Sequence, residues 1–441
     1  MSVAPLRPVP KRTRKLNKKV AIPLLVLMVL ILYVVGSFIF ASDEEPIDLK
    51  TICNFSHQQS RELFYEKEFE HTLEMNDYFA YGETLNLFNQ EYNLFEPDLF
   101  VGKTMILINL CDESERVYMV ERNVDGQLPM EDLPVGFYEV YVMHNLSRHR
   151  LFSNGQIDES FTTIRRNENT KNVRVIADAY LLENDRLGQR TFNRNYVFLE
   201  VSNTTLDDDV IDIIIDPGHY TADPGWLELG LQANDLVEAQ ENYKMALALK
   251  EEFEKHGLKV MLTRGEEEIV NTYDIDGRLH RAYNAQAKYY IEVQMVGNNS
   301  PEVFGTQIVY SSYTSPRLPS AVFRHLIENT HLQSTGVMGA GNIPGVVPSG
   351  RANGYDGRMV IREAGGKALA AATFSEKAQE ENSSFALNNK RGVQALTIEY
   401  IYITHPESAA LWVDHYQEYA KHTVDGFMNY FNIEEDNENA N

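Results

Sequence analysis

Apolar residues recur along this chain in two rhythms, and the change between them divides it. From Leu99 to about Ser202 short apolar runs alternate with turn-forming residues: TMILINL, ERVYMVE, GFYEVYVM, NVRVIADAYL and NYVFLEV. That pattern predicts antiparallel strands, so residues 96–203 are expected to form an all-β, sandwich-like domain. Within it, Leu133-Pro134-Val135-Gly136-Phe137-Tyr138 resembles the strand opening of prealbumin-like sandwich modules. The polar, acidic stretch SNTTLDDDV, residues 202–210, marks a boundary. Beyond it strand-like and helix-like patterns take turns, which predicts an α/β domain over 204–432, a central sheet flanked by helices.

IDIII, LKVMLT, YYIEVQMV, TQIVYSS and ALTIEYIYI read as the strands of that domain. NDLVEAQENYKMALALKEEFEKHG reads as a helix with Asn234 or Asp235 as its N-cap and Gly257 at its end. ESAALWVDHYQEYAKHTVDGFMNYF reads as a closing helix, followed by a disordered acidic tail over 433–441. Residues 336–392 are rich in Gly, Asn and Ser around a helical REAGGKALAAATFSEKAQEE. An irregular insertion of that length is expected to gate or shape a site.

One segment stands outside both rhythms. Val20 to Ala41, VAIPLLVLMVLILYVVGSFIFA, carries no charge and is long enough to cross a bilayer. Seven basic residues precede it, Arg7, Lys11, Arg12, Arg14, Lys15, Lys18 and Lys19, and Asp43-Glu44-Glu45 follow. The bias of basic residues toward the cytoplasmic side predicts a cytoplasmic tail (1–19), a transmembrane anchor (20–41) and an external remainder. A cleaved signal peptide is the other reading, but its apolar region would be shorter, and Ile39 breaks the small-residue cleavage pattern. Residues 42–95 are aromatic-rich and are read only as a connecting region.

The chain has 441 residues and a formal net charge of −24. Residues 1–41 carry seven basic residues and no acidic one, so the external part is more acidic than the whole chain, which argues against nucleic acid as a partner. Cys53 and Cys111 both lie on the external side, where a disulfide and two free thiols fit the sequence equally.

Three positions are hard to explain by folding alone. His219 follows the IDIII strand through Asp216-Pro217-Gly218, at the strand's carboxyl end, where α/β domains place ligands. Glu238 heads a helix face continued by Asn242, Met245 and Leu249, so its carboxylate needs a partner or compensates the helix dipole. Glu399 interrupts the apolar strand ALTIEYIYI, either as an edge residue facing water or as a paired, coordinating or catalytic carboxylate.

In order, DPGHYTADPG, VEAQENYKMALALKEEFEKHGLKVMLTR, GRLHRAYNAQAKYYIEVQMV, GTQIVY and LTIEYIYITHPESAAL resemble the zinc-dependent N-acetylmuramoyl-L-alanine amidases of bacterial cell walls. The likeness covers about residues 210–430, with Thr263-Arg264, Arg278, Ala287 and Gly305 at matching places. The resemblance implies a Zn2+ held by His219 and Glu238, with Glu399 as general base and then acid, and peptidoglycan or a muropeptide as substrate. The family's third ligand is a histidine, and here Gln294 stands in that slot. Glu292, two residues earlier and on the same strand face, is a substitute ligand, as are His325 or His331 from elsewhere. Tyr220-Thr221 also stand where the family usually has two glycines. Two functions follow: a membrane-anchored hydrolase, or an inactive amidase-like domain that binds peptidoglycan or a cell-envelope protein partner.

Overall fold

The computed structural model describes residues 52–53, 67–90, 98–120, 128–166, 170–177 and 195–433, the last with short interruptions and a longer one at 362–392. The expected cytoplasmic tail, the 20–41 span, much of the connecting region, the helix inside the insertion and residues 434–441 lie outside them. Among the described residues no helix is long and apolar enough to cross a membrane. Contacts divide the chain into Met1–Asp48 and Leu49–Asn441, and the structure below is that of the second unit.

The described residues of its first half contain the strands β1 (Thr72–Glu74), β2 (Asp77–Tyr81), β3 (Thr84–Phe88), β4 (Lys103–Asn109), β5 (Glu115–Val120), β6 (Leu128–Pro129), β7 (Gly136–His144), β8 (Ser147–Ser153), β9 (Asp158–Thr162), β10 (Lys171–Ile176), β11 (Asn195–Tyr196) and β12 (Phe198–Asn203). The larger sheet runs β1-β8-β7-β12-β10-β9, with β4 joining β7 to β5 and β11 added to β8; β2, β3 and β6 form a smaller one. Strands β7 and β8 turn on Asn145 and Leu146, both at positive φ, the backbone that a tight hairpin requires. The LPxGxY opening is closed locally, because the Tyr138 hydroxyl donates to the Pro134 carbonyl at 2.6 Å. Cys53 and Cys111 are joined in a disulfide across 58 residues, which settles the open pairing.

The second half contains β13 (Ile213–Pro217), the hairpin β14 (Thr221–Asp223) and β15 (Trp226–Glu228), the hairpin β16 (Gln232–Ala233) and β17 (Leu236–Val237), and α1 (Glu238–Lys255). There follow β18 (Val260–Leu262), α2 (Arg278–Asn284), β19 (Tyr289–Val296), β20 (Gln307–Tyr310), α3 (Arg317–Asn329) and β21 (Val346–Pro348). The last elements are β22 (Arg351–Ala352), β23 (Tyr355–Asp356), β24 (Gln394–Tyr402) and α4 (Pro406–Phe431). The sheet order is β18-β13-β19-β24-β20-β21, parallel except for the β24–β20 pair. Both faces are covered, which is why its strands read as unbroken apolar runs. Ile213 and Ile215 pack into the core under α1, α3 and α4, whereas Ile214 points the other way toward Leu279, Tyr290 and Ala395.

One expectation about α1 is corrected. Asn234 and Asp235 do not cap it; both have positive φ and form the tight turn between β16 and β17, and the helix begins at Glu238 with no side-chain cap. Short polar side chains tolerate the left-handed region, so the same residues suit a hairpin turn as well as a cap. The C-terminus is as expected, with Gly257 at φ +74 closing the last turn.

Two adjacent arginines tie the halves together. Arg165 donates to Asp212 at 2.7 Å and to the Val210 carbonyl at 2.7 Å. Arg166 pairs with Glu83 of the smaller sheet and donates to the Phe431 carbonyl at the end of α4. Glu83 also accepts the Ile164 N–H, so all three segments meet at one buried carboxylate.

Candidate active site

The site is built where β13, β19 and β24 end side by side. After Pro217 the chain turns through His219 and Tyr220 at φ +67 and +66, a backbone costly for residues with a Cβ. Three side chains hold it there. Asp216, buried, accepts from Thr263, Arg278 and the Tyr290 hydroxyl. Arg278 also donates to the carbonyls of Pro217 and His219, and Arg264 to those of Pro217, Gly218 and Ala239. Burial, and then the like charge of Arg278, lowers the Arg264 pKa to about 10, so it keeps its charge at neutral pH. The family-like Thr263-Arg264 and Arg278 thus anchor the histidine loop.

His219 and Glu238 are brought together: imidazole Nε2 lies 3.0 Å from Glu238 Oε1. The other ring nitrogen, Nδ1, lies 2.7 Å from Glu228 on β15. Burial alone would lower the His219 pKa, but hydrogen bonds to and charges on Glu238 and Glu228 outweigh it and lift the pKa to about 9. Glu238 is immobilised by two backbone donors, the Leu231 N–H at 2.9 Å and the Met295 N–H at 3.0 Å. The strap between β15 and β16 crosses directly over the pair at Gly230, at φ +72. A Cβ there would come within 2.7 Å of Glu238 Oε2 and 2.8 Å of the His219 ring.

Gln294 lies beside them. Its amide rests on Gly218, so close that a Cβ at Gly218 would meet it at 2.3 Å, and its Nε2 donates to Glu292 Oε1 at 2.9 Å. Glu292 also accepts from Thr397 at 2.6 Å. Across the sheet Gln294 is the register partner of Glu399 on β24. Glu399 is no edge residue facing water: β24 lies between β19 and β20, and the side chain is 4% exposed. Gln307 of β20 donates to one of its oxygens, and Arg358 pairs with the other. Arg358 also reaches Glu292 at 3.4 Å, so one guanidinium bridges two buried carboxylates. Burial works against its charge, and the two carboxylates more than restore it.

His325 and His331 stand elsewhere, His325 with His422 and Asp425, His331 with His415 and Glu418. Among the described residues, no group of three His, Cys, Asp or Glu donors within 4.8 Å contains His219. A metal at His219 and Glu238 would therefore draw on the Gln294 amide oxygen, left free while Nε2 serves Glu292, or on solvent. The donor set fits a metal at two strong atoms and one weak neutral oxygen. Glu228 on Nδ1 supports that fit, since it leaves Nε2 as the metal-facing nitrogen.

Glu228, Gln307 and Arg358 were not singled out by sequence. Glu228 sits nine residues after His219 in a hairpin whose period-two pattern is short, and Arg358 lies in the irregular insertion.

The domain is thus a mixed α/β sheet with a His–Glu pair at the strand ends and a buried carboxylate on the neighbouring strand. Residues 213–429 match the family model described as N-acetylmuramoyl-L-alanine amidase. No curated protein matches the chain. Similar solved structures include the catalytic domain of CwlV, an N-acetylmuramoyl-L-alanine amidase from Bacillus (Paenibacillus) polymyxa var. colistinus, at 18% identity, covering 51% of this chain and 100% of that one, with a TM-score of 0.36. Ami1 from Mycobacterium smegmatis is 16% identical over 51% of this chain and 98% of its own, with a TM-score of 0.36. The CwlD amidase from Clostridioides difficile, solved with the GerS lipoprotein, is 18% identical over 51% and 100%, with a TM-score of 0.33.

Proposed function

We propose that the protein is a peptidoglycan amidase that cuts the bond between the lactyl group of N-acetylmuramic acid and L-alanine, held at the outer face of a membrane by residues 20–41. The observation that carries the reading is the 3.0 Å approach of His219 Nε2 to Glu238 Oε1 at the end of β13. His219 and Glu238 would hold zinc, with the Gln294 amide oxygen as a weak third donor. When bound, zinc supplies Lewis acidity that polarises an amide carbonyl and acidifies water.

The chain's own residues do the rest. Glu228 fixes the His219 ring, and the Leu231 and Met295 N–H groups fix Glu238, so neither reorganises during turnover. Glu399 takes a proton from water at a carboxylate oxygen and returns it to the departing amine of L-alanine. For that step one of its oxygens must be released by Arg358 or Gln307. Purified peptidoglycan incubated with the full-length protein and zinc is expected to gain free N-terminal L-alanine, with Glu399→Gln at least a hundredfold slower. Wild type yielding none would sink the reading.

A second reading, a peptidoglycan- or partner-binding domain without hydrolysis, is favoured by one observation. Arg358 already pairs with both Glu399 and Glu292, and the third donor is an amide. It predicts binding of wall sugar-peptides that is indifferent to Glu399→Gln.

A further inference from the structure

A second group of metal-binding atoms lies away from His219, on the outer side of the helical layer. His422 and Asp425, three residues apart on α4, face His325 of α3. The helices come close here because residue 426 is glycine: a Cβ at Gly426 would lie 2.8 Å from the Val322 Cα and 3.3 Å from the His325 Cβ. The site sits some 16 residues into α4, about 24 Å along its axis from the end that adjoins β24.

The spacing of the three donors is the informative feature. His325 Nε2 lies 3.7 Å and His422 Nδ1 3.4 Å from the same oxygen, Asp425 Oδ2. Both exceed an ordinary hydrogen bond. They match the edge of a tetrahedron whose centre is about 2.1 Å from each corner, roughly 3.4 Å, the arrangement of zinc ligands. His422 Nδ1 is buried and has no hydrogen-bond partner among the described residues, a state that costs free energy unless something binds it. The Asn429 side-chain amide approaches through its nitrogen, 3.4 Å from His325 Nδ1, and can turn end for end. With its oxygen turned toward that nitrogen it accepts the Nδ1 proton and leaves the Nε2 lone pair for a metal. Lys421 donates to Asp425 Oδ2 at 3.1 Å and is half exposed, so it can withdraw into solvent.

We infer that His325, His422 and Asp425 form a second site for a divalent transition metal, zinc by its donor set, that clamps α3 to α4. Two imidazoles and one carboxylate leave a fourth position for solvent. The neighbouring cluster of His331, His415 and Glu418 is different: His415 Nδ1 already hydrogen-bonds Glu418 at 2.9 Å, and His331 is exposed. It serves as the internal comparison.

The test is metal binding by the purified, metal-free full-length protein, with zinc measured against a chromophoric chelator and cobalt by visible absorption. In a His219→Ala background one equivalent is expected to remain and to give the intense bands of tetrahedral cobalt. Adding His325→Gln, or separately Asp425→Asn, is expected to weaken it at least tenfold, while His415→Ala changes it less than twofold. In the wild-type background the same substitutions remove one equivalent, so the result does not depend on how well His219→Ala folds. Circular dichroism of each metal-free variant separates lost ligands from lost structure, and a misfolded His325→Gln leaves Asp425→Asn to decide. The proposal is overturned if His219→Ala alone abolishes all binding, if His325→Gln and Asp425→Asn bind as the parent does, or if His415→Ala removes the metal instead.

Discussion

Gln294 and Glu399 are register partners on adjacent parallel strands, so the proposed third donor and the proposed general base stand side by side. The Gln294 amide reaches back over Gly218 toward the His219 loop, while Glu399 is drawn the other way by Gln307 and Arg358.

Gln294→His is expected to tighten zinc binding at the His219 site by roughly tenfold or more, because imidazole is a far better zinc donor than an amide oxygen. The shorter imidazole also relieves the close packing on Gly218. Calorimetry of the two proteins side by side checks this, and unchanged affinity would show that the third position plays no part in holding metal.

Arg358→Met strips the shared cation from two buried carboxylates. A partly exposed guanidinium bridging such a pair is expected to contribute about 3 kcal/mol, near the lower end for breaking a buried ion pair. Urea unfolding reads the loss. The double variant with Glu292→Gln should regain part of it, since one uncompensated charge is then removed.

Metal-free protein should lose stability as pH rises. The His219 pKa is raised from 6.5 to about 9, so its contribution is fully present below pH 6.5 and fades as pH climbs through 9. About 3 kcal/mol is at stake. Unfolding midpoints measured with chelator at pH 6 and pH 10 should converge on each other in His219→Gln, and an equally steep loss in that variant would assign the effect to another group.

Reduction of the Cys53–Cys111 bond should destabilise the β-rich half. Its 58-residue separation corresponds to about 4 kcal/mol of loop-closure entropy. Cys111 is exposed, so mild reductant reaches it, and a melting temperature insensitive to reductant would show that the pairing carries no load.

Sequence patterning anticipated the C-terminal sheet well where burial on both faces leaves one reading. YYIEVQMV spans residues 289–296, the bounds of β19, and the break after Gly257 ends α1. It missed α3, whose apolar positions are Leu318, Val322, Phe323 and Leu326 in a segment that opens with Pro316 and carries Pro319. It also missed β8, because SRHRLFS buries an arginine, Arg150, that donates to the carbonyls of Val140, Leu151 and Val197. Polar letters hid a core strand.

The site divides in the same way. His219, Glu238 and Glu399 were legible because each places a polar group where a buried apolar one is expected. Glu228 and Arg358 were not, since a carboxylate in a hairpin and an arginine in a loop look solvated until the fold brings them to His219 and Glu399. The Asn234-Asp235 turn shows the converse, a strong local signal with two valid outcomes decided by the β16–β17 pairing.

The most direct measurement is a zinc titration of the metal-free full-length protein by calorimetry, wild type against His219→Ala. The account predicts two equivalents for wild type and one for His219→Ala, the lost one being the His219–Glu238 site. Identical isotherms for the two proteins would mean that no metal is held there, and would contradict the amidase mechanism at its first step.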